Sequence, residues 1–105
     1  EAEETYIQSF IEYLQFEKRF SNHTTRAYRS DLCEFYFFIQ HSFEVQSFAT
    51  VNSTVLRAYM VHLSEKGNQP KTIHRKISSL QSFSKYLLKK QMISTDPLQK
   101  IKTYG

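Results

Sequence analysis

An all-α bundle is the fold class this chain predicts, and three features predict it. Gly and Pro number two each in 105 residues, so few breaks interrupt the chain. Four segments carry apolar residues at helical rather than strand spacing. Aromatic residues make up 15% of the chain, bulky enough to fill the space between helices. The length suits one domain with a core of its own. Four helices arranged as two hairpins, with a short helix at the C-terminal end, is the expected architecture.

The first helix spans about residues 3–18, with Ile7, Phe10, Ile11 and Leu14 on one stripe and Tyr6 and Tyr13 widening it. Glu1, Glu3 and Glu4 stand where the helix dipole favours anions, and Lys18 and Arg19 where it favours cations. Ser21 and Asn22 are good caps for a second helix over about 23–40. Its inner face reads Thr24, Tyr28, Leu32, Phe35 and Ile39, with Asp31 and Phe38 at a margin, and its outer face Arg26, Ser30, Cys33 and Phe37. Arg26 and Arg29 can grip phosphates, or pair with Asp31 or Glu34 at helical spacing. An outward Phe37 asks for a further packed segment or a protein partner. Residues 41–51 keep no period and read as a loop that folds Phe43, Val45 and Phe48 back on the bundle.

Asn52 caps a third helix over 53–66 that buries Leu56, Tyr59, Met60 and Leu63 and stops at Gly67, the residue suited to a left-handed C-cap. A tight turn then leads to Pro70 at the first position of a fourth helix, so the third and fourth form a hairpin. Asp96-Pro97 repeats the cap-then-proline signal for a brief helix over about 97–102, with residues 92–105 leading into a linker.

The fourth helix, residues 70–90, has two faces that want different partners. Ile73, Ile77, Leu80, Ser84, Leu87 and Leu88 want a core, while Lys71, Arg75, Ser78, Ser82, Lys85 and Lys89 lie opposite. Basic residues with short hydroxyls between them suit either water or a polyanion, since Lys and Arg meet phosphates and Ser lets a helix approach base edges. The net charge of +4 hides an asymmetry: residues 1–52 hold four Lys or Arg against eight acids, residues 53–105 ten against two. Such a split favours docking on an anion through the C-terminal half.

Other chemistry finds little support. The four histidines stand far apart and Cys33 is alone, so neither a metal site nor an internal disulfide is expected, and no cofactor is implied. Two glycines cannot build a phosphate loop, and no nucleophile motif such as G-x-S-x-G occurs. Without a signal peptide or an apolar run of spanning length, a reducing cytoplasmic setting is expected, with no membrane partner. The chain opens on Glu1 rather than Met, which reads as a piece of a longer protein. Residues 67–80 have a helix-turn-helix look, with Thr72, Arg75 and Ser79 one turn apart on the second helix.

Two blocks then become familiar together. Ser21-Asn22-His23-Thr24-Thr25-Arg26-Ala27-Tyr28-Arg29-Ser30-Asp31-Leu32 is followed, about 45 residues on, by Pro70-Lys71-Thr72-Ile73-His74-Arg75-Lys76-Ile77-Ser78-Ser79-Leu80-Gln81-Ser82-Phe83. With Tyr13-Leu14 before them and Ile93 and Asp96-Pro97-Leu98 after, nearly the whole chain resembles the core-binding, SAM-like N-terminal domain of tyrosine recombinases, the phage-integrase family. The resemblance implies a SAM-like bundle of two crossed helical hairpins that forms half of a C-shaped clamp on double-stranded DNA. The second and fourth helices would enter the major groove, in a bacterial, phage or mobile-element setting, and a separate catalytic domain would close the clamp.

By position, Thr24, Thr25 and Arg26 fall where the family touches DNA on the second helix, and Lys71, Thr72, Arg75 and Ser79 on the fourth. Arg29, Lys76, Ser82 and Lys85 join them by face alone. Gln69 departs from the usual Ser or Thr cap, which bears on where the fourth helix starts rather than on its face. The family's catalytic Arg, Lys, His and Tyr belong to the second domain, and Tyr104 is not that tyrosine. The fragment is therefore expected to be a monomer without enzymatic activity, from a parent that forms a tetramer on DNA. A helix-turn-helix regulator and a SAM-like protein-interaction bundle are the alternatives.

Overall fold

A computed structural model describes residues 2–98 of the chain. Four helices make up about two thirds of it: α1 (Ala2–Glu12), α2 (Asn22–Ser42), α3 (Ser53–Glu65) and α4 (Pro70–Lys89). Helix α4 packs against each of the other three, and α2 does the same. The two hairpins α1–α2 and α3–α4 thus share one core. The expected helix over 97–102 lies largely outside the described residues; Pro97 and Leu98 form a turn.

Local chemistry explains most boundaries. Ser21 Oγ accepts the Thr24 backbone N–H at 3.2 Å, which starts α2 at Asn22, one residue before the expected position, and the helix runs on to Ser42. Asn52 Oδ1 accepts the Val55 N–H at 3.0 Å and starts α3. At the other end of α3, Gly67 adopts φ +97, and the N–H groups of Gly67 and Asn68 donate to Ser64 and Leu63 carbonyls at 3.0 and 3.1 Å. That pair of bonds is the Schellman stop, and only glycine takes its dihedral without cost. Gln69 makes no side-chain cap bond, and Pro70 fixes the first turn of α4 instead.

The first helix departs from expectation. Its regular part ends at Glu12, and Tyr13–Glu17 widens into a π-helical turn closed by the Lys18 N–H on the Tyr13 carbonyl at 3.1 Å. Arg19 then takes φ 58 and ends the run without a glycine. A π turn holds one residue more than an α turn, and nothing in the apolar spacing of Ile7, Phe10, Ile11 and Leu14 before it signals the change. Leu14 stays buried while Phe16 is turned out to water.

The core is aromatic. Phe83 on α4 meets Phe10 of α1 at 5.4 Å and Phe48 of the 43–52 loop at 5.0 Å, and Phe35 of α2 meets Tyr59 of α3 at 5.0 Å, all edge to face. Each such pair adds about 0.5–1.5 kcal/mol beyond area burial. Phe48 is fully buried and Val45 half-buried, as the loop's apolar residues suggest, while Phe43 stays at the rim. Glu3 ties this loop down: its Oε1 accepts the Tyr36 hydroxyl at 2.6 Å and the Phe48 N–H at 3.0 Å. Burial, reinforced by the Glu3 hydrogen bond and charge, pushes the Tyr36 hydroxyl pKa up.

Candidate nucleic-acid interface

The α2–α4 junction brings together Thr24, Arg75 and Ser79 of the residues singled out by sequence. His23, Thr24, Ala27 and Tyr28 of α2 and Arg75, Ser78 and Ser79 of α4 line one open depression of about 240 Å³, with Asp31 at its floor. Small side chains at Ala27, Ser78 and Ser79 allow the two helices to approach there. Residues 44 and 48 positions apart in the chain therefore meet on one surface.

Asp31 organises the junction. Its carboxylate is almost fully buried, and Oδ2 accepts from Arg75 Nη1 and from Ser79 Oγ, both at 2.7 Å. Arg75 keeps about half of its side chain in water, so it holds α4 on α2 and still offers guanidinium donors outward. One turn further on, Glu34 receives Lys76 Nζ at 2.6 Å and Lys66 Nζ at 3.2 Å. Partial burial raises the Glu34 pKa, but the two lysine hydrogen bonds and their charges outweigh it and hold the carboxyl below its ordinary value. The charges of Glu34 and Asp31 reach inward as well: after burial itself, they help push the Tyr59 hydroxyl pKa up. That hydroxyl is buried with no hydrogen-bond partner among the described residues.

The expected site residues separate into three groups. Arg26, Lys71 and Lys85 are exposed, and Thr24, Thr72 and Ser82 are half-buried with access to the surface. Arg75, Lys76 and Arg29 are engaged: Arg75 with Asp31, Lys76 with Glu34 behind a side chain only 14% exposed, and Arg29 with Gln8 of α1. Thr25 and Ser79 turn inward. The Thr25 hydroxyl donates to the Asn22 carbonyl at 3.1 Å, and Ser79 donates to Asp31, each residue 5% exposed. Neither hydroxyl faces outward as its place in the motif implied.

The inner face of α2 keeps Leu32, Phe35 and Ile39 fully buried as expected and widens to include Thr25 and Tyr36, with Thr24 and Tyr28 at its edge. Arg26 sits on the outer side of that helix with Ser30 and Cys33 and does not line the depression. Neither Arg26 nor Arg29 forms the expected pair with Asp31 or Glu34; those acids reach across to the other hairpin.

Sequence reading missed the partners of the acids. Asp31 and Glu34 stood within helical spacing of Arg26 and Arg29, and an acid at the margin of the inner face, opposite a basic helix, was the available signal for a partner on α4. The reading also passed over a second cluster. Around the π turn, Tyr13, Lys18 and Phe20 face Ser82, Lys85, Tyr86 and Lys89 of α4 across an open cleft of about 340 Å³. Phe37 stays 64% exposed on α2, its ring stacked on His41 at 4.0 Å.

Residues 7–91 match the family model described as phage integrase, N-terminal SAM-like domain. Among known proteins, the chain is 35% identical over 91 residues to a protein of Anoxybacillus flavithermus called tyrosine recombinase XerC, an alignment covering 87% of this chain and 30% of the relative. Proteins of the same name from Bacillus licheniformis and Chlorobaculum parvum are 36% and 33% identical over 92 and 103 residues, covering 88% and 93% of this chain and 30% and 31% of theirs. The chain thus spans about 30% of the length of the relatives it matches. No solved structure matches it. No helix among the described residues is long and apolar enough to cross a membrane.

Proposed function

The chain belongs to the phage integrase N-terminal SAM-like domain family, and on that premise we propose that it is the DNA-binding domain of a site-specific tyrosine recombinase. It binds double-stranded DNA with α2 and α4 toward the major groove and positions a catalytic domain, carried elsewhere in the parent chain, on a recombination half-site. The fragment performs no chemistry of its own. The parent acts as a tetramer on DNA in the cytoplasm, and the isolated domain is a monomer.

The observation that supports this reading most is the shared α2–α4 surface, where Thr24 and Arg75, from distant parts of the chain, border one depression. Arg26, Lys71, Thr72, Ser82 and Lys85 are the accessible candidates for contact, and Arg75 contributes through its outward half. Ser79 acts by holding α4 on α2 through Asp31, and Thr25 by closing the first turn of α2. Most of the affinity comes from phosphate neutralisation and little from base readout.

Fluorescence anisotropy on duplex DNA across a salt series tests the proposal. Engagement of roughly four to six phosphates gives a log–log slope of roughly −4 to −5. A slope near zero overturns it. Arg26→Ala separates the two-helix arrangement from a helix-turn-helix regulator built on α3 and α4 alone. The first predicts a loss comparable to that from Arg75→Ala, and the second predicts none.

A further inference from the structure

Most cations near the α2–α4 junction already have an acid. Arg75 has Asp31, and Lys66 and Lys76 share Glu34. The cleft beside the π turn is built differently: three lysines, Lys18, Lys85 and Lys89, line it together with Tyr13, Tyr28 and Ser82, and no carboxylate does. The Lys18 and Lys89 ammonium groups both lie 6.0 Å from the centre of the Tyr13 ring. Two like charges gathered on one aromatic ring gain cation–π attraction yet repel each other. An anion seated between them would relieve that repulsion. Hydroxyl donors at Tyr13 and Ser82 stand in the same cleft.

We infer that this cleft is a phosphate-binding site, separate from the α2–α4 depression, that takes a backbone phosphodiester of the same DNA duplex. The inference rests on the DNA-binding reading above. The two sites are continuous, because Tyr28 lines both, so a duplex lying along α4 passes from one to the other. The π turn gives the cleft its form. By closing a wider ring between Lys18 and Tyr13, it brings Lys18 over the tyrosine and toward α4, and such turns occur often at functional positions. Phosphate at this place lengthens the footprint of the domain beyond the junction and adds no sequence preference.

The test is the salt dependence of duplex binding by wild type, Lys18→Ala, Lys89→Ala, the double variant, and Arg57→Ala as a charge-matched control on the exposed side of α3. Each cleft variant is expected to flatten the slope by about one, and the control to leave it unchanged. Since both lysines hold one phosphate, the double variant should lose less than the sum of the single losses. Cleft variants indistinguishable from Arg57→Ala, or strictly additive losses, overturn the cleft while leaving the DNA-binding reading intact. A flat wild-type slope overturns that reading, and the cleft with it.

Discussion

Two parts of the basic helix α4 differ in what their charge is for. At the N-terminal half, Arg75 and Lys76 are spoken for by Asp31 and Glu34 of α2, and their first task is to fasten one hairpin to the other. At the C-terminal half, Lys85 and Lys89 face aromatic rings and a third lysine, with no acid among the residues lining the cleft. The same residue types on one helix thus serve cohesion in one place and leave an unbalanced field in the other. A count of positive residues treats them as equal. A polyanion does not, because displacing a carboxylate from a lysine costs part of what the phosphate contributes.

The comparison is most easily broken at its most buried member. Asp31→Asn keeps the shape but removes the charge that receives Arg75 and Ser79, and it should destabilise the domain by about 2–3 kcal/mol, less than a fully buried pair because Arg75 is half in water. Urea unfolding measures this, and a loss below about 0.5 kcal/mol would place the junction's stability in packing instead. A smaller effect distinguishes the two halves on DNA. Lys85→Ala should weaken duplex binding by roughly fivefold, whereas Lys76→Ala, whose ammonium is already held by Glu34, should change it less than about twofold. Equal losses would dissolve the contrast.

The smallest expected effect is in acid. The Glu34 carboxyl is held below its ordinary value of 4.5, so it is charged in the folded state at pH values where the unfolded chain has begun to protonate. Its contribution is complete above 4.5 and lost as the pH falls through the lower folded value. Wild type should exceed Glu34→Gln in stability near neutrality, and the gap should close below that pH. A constant gap from neutral to acid would mean that Glu34 acts by shape alone.

Much of this was legible before any coordinates. Ser21, Asn52, Gly67 and Pro70 mark helix ends by chemistry that acts within four residues, so local reading placed α2, α3 and α4 within about two residues of their bounds. The family, too, was readable from two blocks, S-x-x-T-x-x-A-Y and K-T-I-x-R, which occur together in this order. The candidate site was legible at lower resolution. A helical wheel gives a face to within a residue or so, which was enough to nominate Arg75 and Lys85 and too coarse to separate Thr24 from Thr25 or Ser78 from Ser79.

What the sequence by itself determined was the four main helices, the ends of α2, α3 and α4 and the basic half of the chain, since propensity, capping and composition are properties of neighbouring residues. What only the tertiary structure decided was which cations are neutralised, because Asp31 and Glu34 meet Arg75 and Lys76 across 44 and 42 residues of chain. The π turn belongs to the same class. It inserts a residue and sets Lys18 by the Tyr13 ring, and Lys89 arrives there from the far end of α4. Coulomb and hydrogen-bond energies depend on distance in space, and spacing along the chain carries that distance only within a turn or two of helix.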